Sequence, residues 1–236
     1  MYNDAVPVVT IDGPSGTGKG TICQLLAKHL QWNMLDSGAI YRVLAYAARK
    51  KNIDFQDVQQ LTALARALNL RFGASSEEGT RVILDNEDIS SEIRSEQCGQ
   101  DASQIAAIQE VRQALLERQR NFAQAPGLVT DGRDMGTVVF PKAMLKVFLY
   151  ANEEERANRR YLQLKEKGIN VSLAHVVEEL AKRDVRDTGR SHAPLKPAED
   201  AVQIDTTSLS IVQVFNIVLK LINERLELIN EHLHNA

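Results

Sequence analysis

The stretch GPSGTGKGT, residues 13–21, places Gly13, Gly16 and Gly18 ahead of Lys19. Glycines so spaced let a backbone wrap with its N–H groups pointing inward. The result is an anion nest that the dipole of a following helix reinforces. Lys19 then reaches the β- and γ-phosphates of a nucleoside triphosphate as a point charge. The usual loop has a serine or threonine directly after the lysine, to serve magnesium. Here that position is Gly20, and the hydroxyl comes one residue late, at Thr21. The whole run, including Pro14, Ser15 and Thr17, is the candidate site for ATP. The plain alternative is a glycine-rich turn that binds nothing.

Three other stretches carry chemistry. In DSGAIYR, residues 36–42, Ser37 and Arg42 lie one helical turn apart and suit a second phosphate; the alternative is that Ser37 caps a helix. In TDGRDMG, residues 130–136, Asp131 suits the acidic role near magnesium. Arg133 and Asp134 offer donors and an acceptor to a polar base or a phosphate, or else form a salt-bridged turn. Finally, Arg156, Arg159 and Arg160 share one helical face, and Arg183, Arg186, Asp187 and Arg190 another. A solvated face is the ordinary reading of such a run. Three stacked arginines nevertheless repel one another unless an anion sits between them, and forked guanidinium donors suit a transferring phosphoryl group. Ser103 and Arg112 fall in a helical region, and spacing alone does not single them out.

The elements that must hold these residues alternate. Val6–Asp12 is a β-branched run that stops at glycine, a buried strand. Ile22, Leu25, Leu26 and Leu30 recur at helical spacing after the loop. NMLDS (33–37), LVTDG (128–132), KVFLYA (146–151) and AVQIDTT (201–207) are further strands, each followed by a helix. From Ser210 to about His234 runs one long amphipathic helix. Strand–helix alternation predicts an α/β fold with a five-stranded parallel sheet and helices on both faces. Two stretches break the pattern. Residues 70–93 read as a small antiparallel insertion, with Asn86-Glu87 as its turn. Residues 153–192 read as two charged helices broken at Gly168-Ile169-Asn170.

The 236 residues, 44% hydrophobic and 25% charged, suit one large globular domain over 1–236. With only 5% aromatic residues, the core must be aliphatic. No apolar run approaches the ~20 residues of a membrane span. The opening MYNDAVPVVTID lacks the basic and apolar regions of a signal peptide. Cys23 and Cys98 have no metal-ligand spacing and read as free thiols, which points to the cytoplasm. A net charge of −3 argues against general nucleic-acid binding. The expectation is a monomer acting on small molecules, with neither nucleic acid nor membrane as partner. The five histidines read as structural or surface residues, and Trp32 as core.

Together, GPSGTGKGT, DSGAIYR, DGRDMGTVVFP and KRDVRDTGR resemble the bacterial cytidylate kinases, from about Val8 to about Ser208. The resemblance implies transfer of the γ-phosphoryl group of ATP to CMP or dCMP, with Mg2+. It implies a P-loop core with a monophosphate-binding insertion, here 66–125 with its antiparallel sheet at about 70–93, and a short lid, here within 153–192. Residues 13–21 would hold the ATP phosphates. Ser15, Ser37, Arg42, Arg133, Arg183 and Arg190 would hold the monophosphate side. Ser103, Arg112 and Asp134 would read cytosine, and Asp187 with Arg183 would contact the ribose. Lys19, Arg156, Arg160 and Arg183 would act on the transferring phosphate. No signature residue departs from the family's pattern. A kinase for AMP, UMP or shikimate would share the loop but not residues 36–42 and 131–141. A GTPase-type switch would need a guanine-reading Asn-Lys-x-Asp segment, which the sequence lacks.

Overall fold

The computed structural model describes residues 6–76, 79–166 and 168–234. Residues 1–5, the start of the stretch read as lacking a signal peptide, lie outside them. In chain order come β1 (Val8–Asp12), α1 (Lys19–Leu30), β2 (Asn33–Asp36), α2 (Ser37–Lys50) and α3 (Val58–Ala67). The hairpin strands β3 (Leu70–Ser76), β4 (Gly79–Leu84) and β5 (Glu87–Asp88) follow, then α4 (Glu96–Ile105) and α5 (Gln109–Arg120). After β6 (Leu128–Gly132) the chain makes a single π-turn, Met135–Val139. It ends through β7 (Leu145–Tyr150), α6 (Glu153–Glu166), α7 (Leu173–Thr188), β8 (Val202–Asp205) and α8 (Ile211–His234). Two compact units result, one made of the residues up to Asp36 and from Arg120 onward, the other of Ser37–Gln119.

The first unit carries a five-stranded sheet in the order β2-β6-β1-β7-β8, with every neighbouring pair parallel. β1 is central, and its residues alternate between two faces. Val9 and Ile11 pack with Val129, Leu145, Val147 and Leu149 against Ile22, Cys23 and Leu26 of α1 and Val214, Val218 and Ile222 of α8. Burying each such aliphatic side chain contributes ~1.5–3 kcal/mol, so this layer fixes the sheet that carries the loop. The other face bears Thr10, Thr130 and Lys146, all buried. There Gly136 lies so close to Thr10 Oγ1 and Lys146 that a Cβ would fall 2.9 Å from the former. Trp32, half-buried against the apolar layer, lies over Gly127, where a Cβ would stand 2.3 Å from its ring. Both cysteines are buried free thiols. No helix among the described residues is long and apolar enough to cross a membrane.

The second unit contains the three-stranded antiparallel sheet β3-β4-β5. Its turn lies one residue earlier than the sequence suggested. Asp85 and Asn86 take φ of 50° and 71°, and Glu87 already belongs to β5. Two successive left-handed residues are what a tight hairpin turn needs, and aspartate and asparagine tolerate that conformation. β1 likewise begins two residues after Val6, at Val8.

Candidate active site

The C-terminal ends of β1 and β6 meet at one level, with Asp12 opposite Gly132. In an open parallel sheet this edge is where ligands bind. Directly after Asp12 the glycine loop begins. Gly13 has φ 147°, and a Cβ there would meet the Leu149 carbonyl oxygen at 2.0 Å. Gly16, at φ 81°, would bring a Cβ to 2.7 Å from the Arg156 carbonyl oxygen. Both positions therefore exclude side chains, by conformation and by space. Gly18 ends the loop in the left-handed region and gives α1 no side-chain cap, nor does an acidic residue occupy the helix's first turn. The helix start thus presents its N–H groups and positive dipole end to the loop.

Lys19 is buried, and its Nζ donates to the Pro14 carbonyl at 2.7 Å. Thr17 Oγ1 donates to the same oxygen at 3.0 Å. Burial, seconded by Arg133, lowers the Lys19 ammonium to about 7 against an opposing pull from Asp131. Gly20 is exposed, and a Cβ added there meets nothing within 4 Å. Steric exclusion in the free protein is thus not what keeps a hydroxyl from that position.

Arg133 joins three parts of the site. Its Nη2 donates to Ser15 Oγ at 2.8 Å, its Nε to Asp187 Oδ2 at 2.8 Å and its Nη1 to the Gly132 carbonyl at 3.1 Å. Arg190 also pairs with Asp187, and Arg183 Nε approaches it to 3.9 Å. The structure thereby gathers Arg133, Arg183 and Arg190 around the buried carboxylate of Asp187, with Ser15 joined through Arg133. Burial alone would raise that carboxyl, but Arg133, Arg190 and Arg183 outweigh it and bring Asp187 down to about 2.

Arg156, buried near the start of α6, donates from Nη1 to the Ser15 carbonyl at 3.2 Å and pairs with Asp184 Oδ2 at 2.6 Å. Arg159 donates to Glu155 Oε1 at 2.7 Å, to Thr206 Oγ1 at 3.1 Å and to the Thr206 carbonyl at 2.6 Å. For Arg156 and Arg159 the repulsion expected among stacked arginines is thus met by acceptors of the protein itself, and Arg159 fastens α6 to the turn after β8. Arg160 follows on α6, half-buried.

Asp134 is 3% exposed and precedes the π-turn. Asp131 is buried and stands opposite Asp36 of β2 in register. Among the described residues no group of three His, Cys, Asp or Glu side chains could hold a metal ion. A magnesium ion held mostly by phosphates and water, with one or two carboxylates, fits such an edge.

In the second unit Ser37 begins α2, and its hydroxyl donates to Gln119 Oε1 at 2.6 Å, both groups buried. The carbonyl of Arg42 accepts from Cys98 Sγ at 3.2 Å. Arg112 lies over the Tyr41 ring at 5.5 Å and donates to the Ala106 carbonyl at 3.0 Å. Ser103 is buried in α4.

Three participants escaped the sequence reading: Asp12, Asp184 and Gln119. Asp184 stands in the KRDVRDTGR stretch, one turn before Asp187, and that spacing was the one available signal. Asp12 and Gln119 find their partners 123 and 82 residues away, beyond any local pattern.

A glycine loop between the central strand of a parallel sheet and an uncapped helix, with a buried lysine and a ring of arginines, defines a P-loop kinase. Residues 9–224 match the sequence model of cytidylate kinase, and the chain belongs to that family. It is 57% identical over 221 residues to the cytidylate kinase of Stutzerimonas stutzeri, covering 93% of this chain and 96% of that protein. It is 58% identical over 214 residues to that of Pseudomonas syringae pv. tomato, covering 90% and 93%. With that of Shewanella denitrificans it shares 53% over 219 residues, covering 92% and 96%.

Proposed function

We propose that this protein transfers the γ-phosphoryl group of ATP to CMP or dCMP, giving ADP and CDP or dCDP, in the pyrimidine nucleotide metabolism of the cytoplasm. The observation that carries the reading is Arg133, whose guanidinium bridges Ser15 of the phosphate loop and Asp187 of α7. One side chain thus spans the loop for the donor and the cluster for the acceptor.

The chemistry needs two polyanions in line. The N–H groups of residues 13–21 and Lys19 take the β- and γ-phosphates. Arg133, Arg183 and Arg190, with Ser15, Ser37 and Arg42, take the acceptor phosphate. Asp187 accepts from the ribose, and Ser103, Arg112 and Asp134 bond the cytosine edge. An oxygen of the acceptor phosphate attacks the γ-phosphorus while the bond to the ADP oxygen breaks. That oxygen is already ionised, so no general base is needed. Arg156, Arg160 and Arg183 spread the charge of the transferring group. Asp131 is the carboxylate that would help hold a magnesium ion, which would supply neutralisation of the ATP phosphates. Residues 66–125 serve as the monophosphate-binding insertion, and 153–192 as a lid that excludes water as a competing acceptor. The protein works as a monomer, without nucleic acid.

A monophosphate panel with ATP and magnesium tests this. CMP and dCMP should be phosphorylated far faster than AMP. Strong activity on AMP with none on CMP would sink the reading.

A further inference from the structure

Asp12 closes β1, and the phosphate loop starts at the next residue. Its carboxylate, 5% exposed, accepts the N–H of Met135 at 2.9 Å and the N–H of Gly136 at 2.8 Å. These are the first two N–H groups of the π-turn Met135–Val139. Helical turns leave such groups without partners of their own, and the residue just before the turn normally supplies one. Here that residue is Asp134, with φ −144° and ψ 24°, and its side chain makes no capping bond. The cap comes instead from a strand 123 residues earlier. Both bonds are charge-assisted and stronger than neutral ones. The β1–β6 register, Asp12 opposite Gly132, sets the carboxylate level with the start of the Gly132–Gly136 run.

The run is therefore pinned at both ends. Arg133 is fixed by Ser15 and Asp187, and Met135 and Gly136 by Asp12. Asp134 lies between these two anchors. Burial, against the pull of the two N–H bonds, raises the Asp12 carboxyl to about 6; Asp134 and Lys19 are the charges beside it.

We propose that Asp12 is a positioning residue for the acceptor nucleotide: by capping Met135 and Gly136 it holds Arg133 and Asp134 in the orientation that receives the monophosphate and its base. The strand that feeds the donor loop then also sets the acceptor site. This rests on the reading of Arg133 and Asp134 as CMP-binding residues.

The test is Asp12→Asn in the full chain. Asparagine offers one acceptor oxygen and turns an NH2 group toward the second N–H. The KM for CMP should rise about tenfold, with that for ATP changing less than about twofold, the size expected for one lost charge-assisted bond. The preference for CMP over UMP should fall. Hydrogen exchange at the Met135 and Gly136 amides should quicken while the β1 and β6 amides stay protected. An unchanged KM for CMP, or equal rises in both KM values, overturns the proposal. So does unchanged exchange at residues 135 and 136, which is readable whether or not the protein accepts CMP. A wild-type protein inactive on CMP would sink the kinase reading, and the exchange result would still decide the anchor. Should Asp12→Asn not fold, hydrogen exchange in the wild-type protein decides: the Met135 and Gly136 amides should be protected, and exchange at the rate of exposed amides overturns the anchor.

Discussion

Lys19 is held in the free protein in a state its task reverses. Burial and then Arg133 push its ammonium down to about 7, from 10.5 for an exposed lysine. Between those values the unfolded chain binds more protons than the folded one, so this residue's contribution to stability rises with pH. A triphosphate beside Lys19 restores the charged form. ATP binding at pH 8 should therefore take up most of one proton, and the uptake should fade toward pH 6. Calorimetry in buffers of different ionisation enthalpy measures it, and Lys19→Ala should abolish it. The same uptake in that variant would place the proton elsewhere. Asp187 behaves in the opposite sense. Its carboxyl is held to about 2, so the stability it adds is present above the usual 3.8 and is lost as pH falls toward 2.

The α6–α7 pair packs on itself through Ala157, Leu164, Val176 and Leu180. It is rooted at one end. Arg156 ties the pair to the loop carbonyl of Ser15 and joins α6 to α7 through Asp184, and Arg159 ties α6 to Thr206 and Thr207. Arg159→Ala leaves those carbonyls without their charged donor and should cost about 2 kcal/mol in urea unfolding. The kcat should fall more than the KM for CMP rises, since the root and not the acceptor is touched. Arg159→Lys should recover only part, because a lone ammonium cannot span the acceptors that the fork reaches. Full stability in Arg159→Ala would contradict the rooting. Spacing placed Arg159 with Arg156 and Arg160 on one face, and that much was legible, since helical periodicity is local. Its partners after β8 were not, because they lie 47 residues on. The same division holds elsewhere. The loop, β1 and the break at Gly168 could be read from runs of a few residues. The cap by Asp12 and the bond from Ser37 to Gln119 depend on the register of distant elements. The hairpin turn slipped by one residue because Asp85, Asn86 and Glu87 are all polar, and only the backbone shows which two turn left-handed.

The chain as a whole divides at Asp36 and Arg120, so the second unit is an insertion between β2 and β6 of the sheet. Strand–helix alternation made the five parallel strands legible, because each carries its own apolar run. It did not fix the order β2-β6-β1-β7-β8, which follows from crossovers that no single segment encodes. One consequence concerns Trp32, the single tryptophan of the chain, which lies over Gly127 in the first unit. Its fluorescence reports on that unit alone, whereas circular dichroism sums the helices of both. If the units melt together, the two signals should trace one transition on heating; fluorescence lagging behind ellipticity would show the Ser37–Gln119 unit opening first. The tryptophan is thus a built-in optical label, placed where the unfolding of one unit can be watched apart from the other.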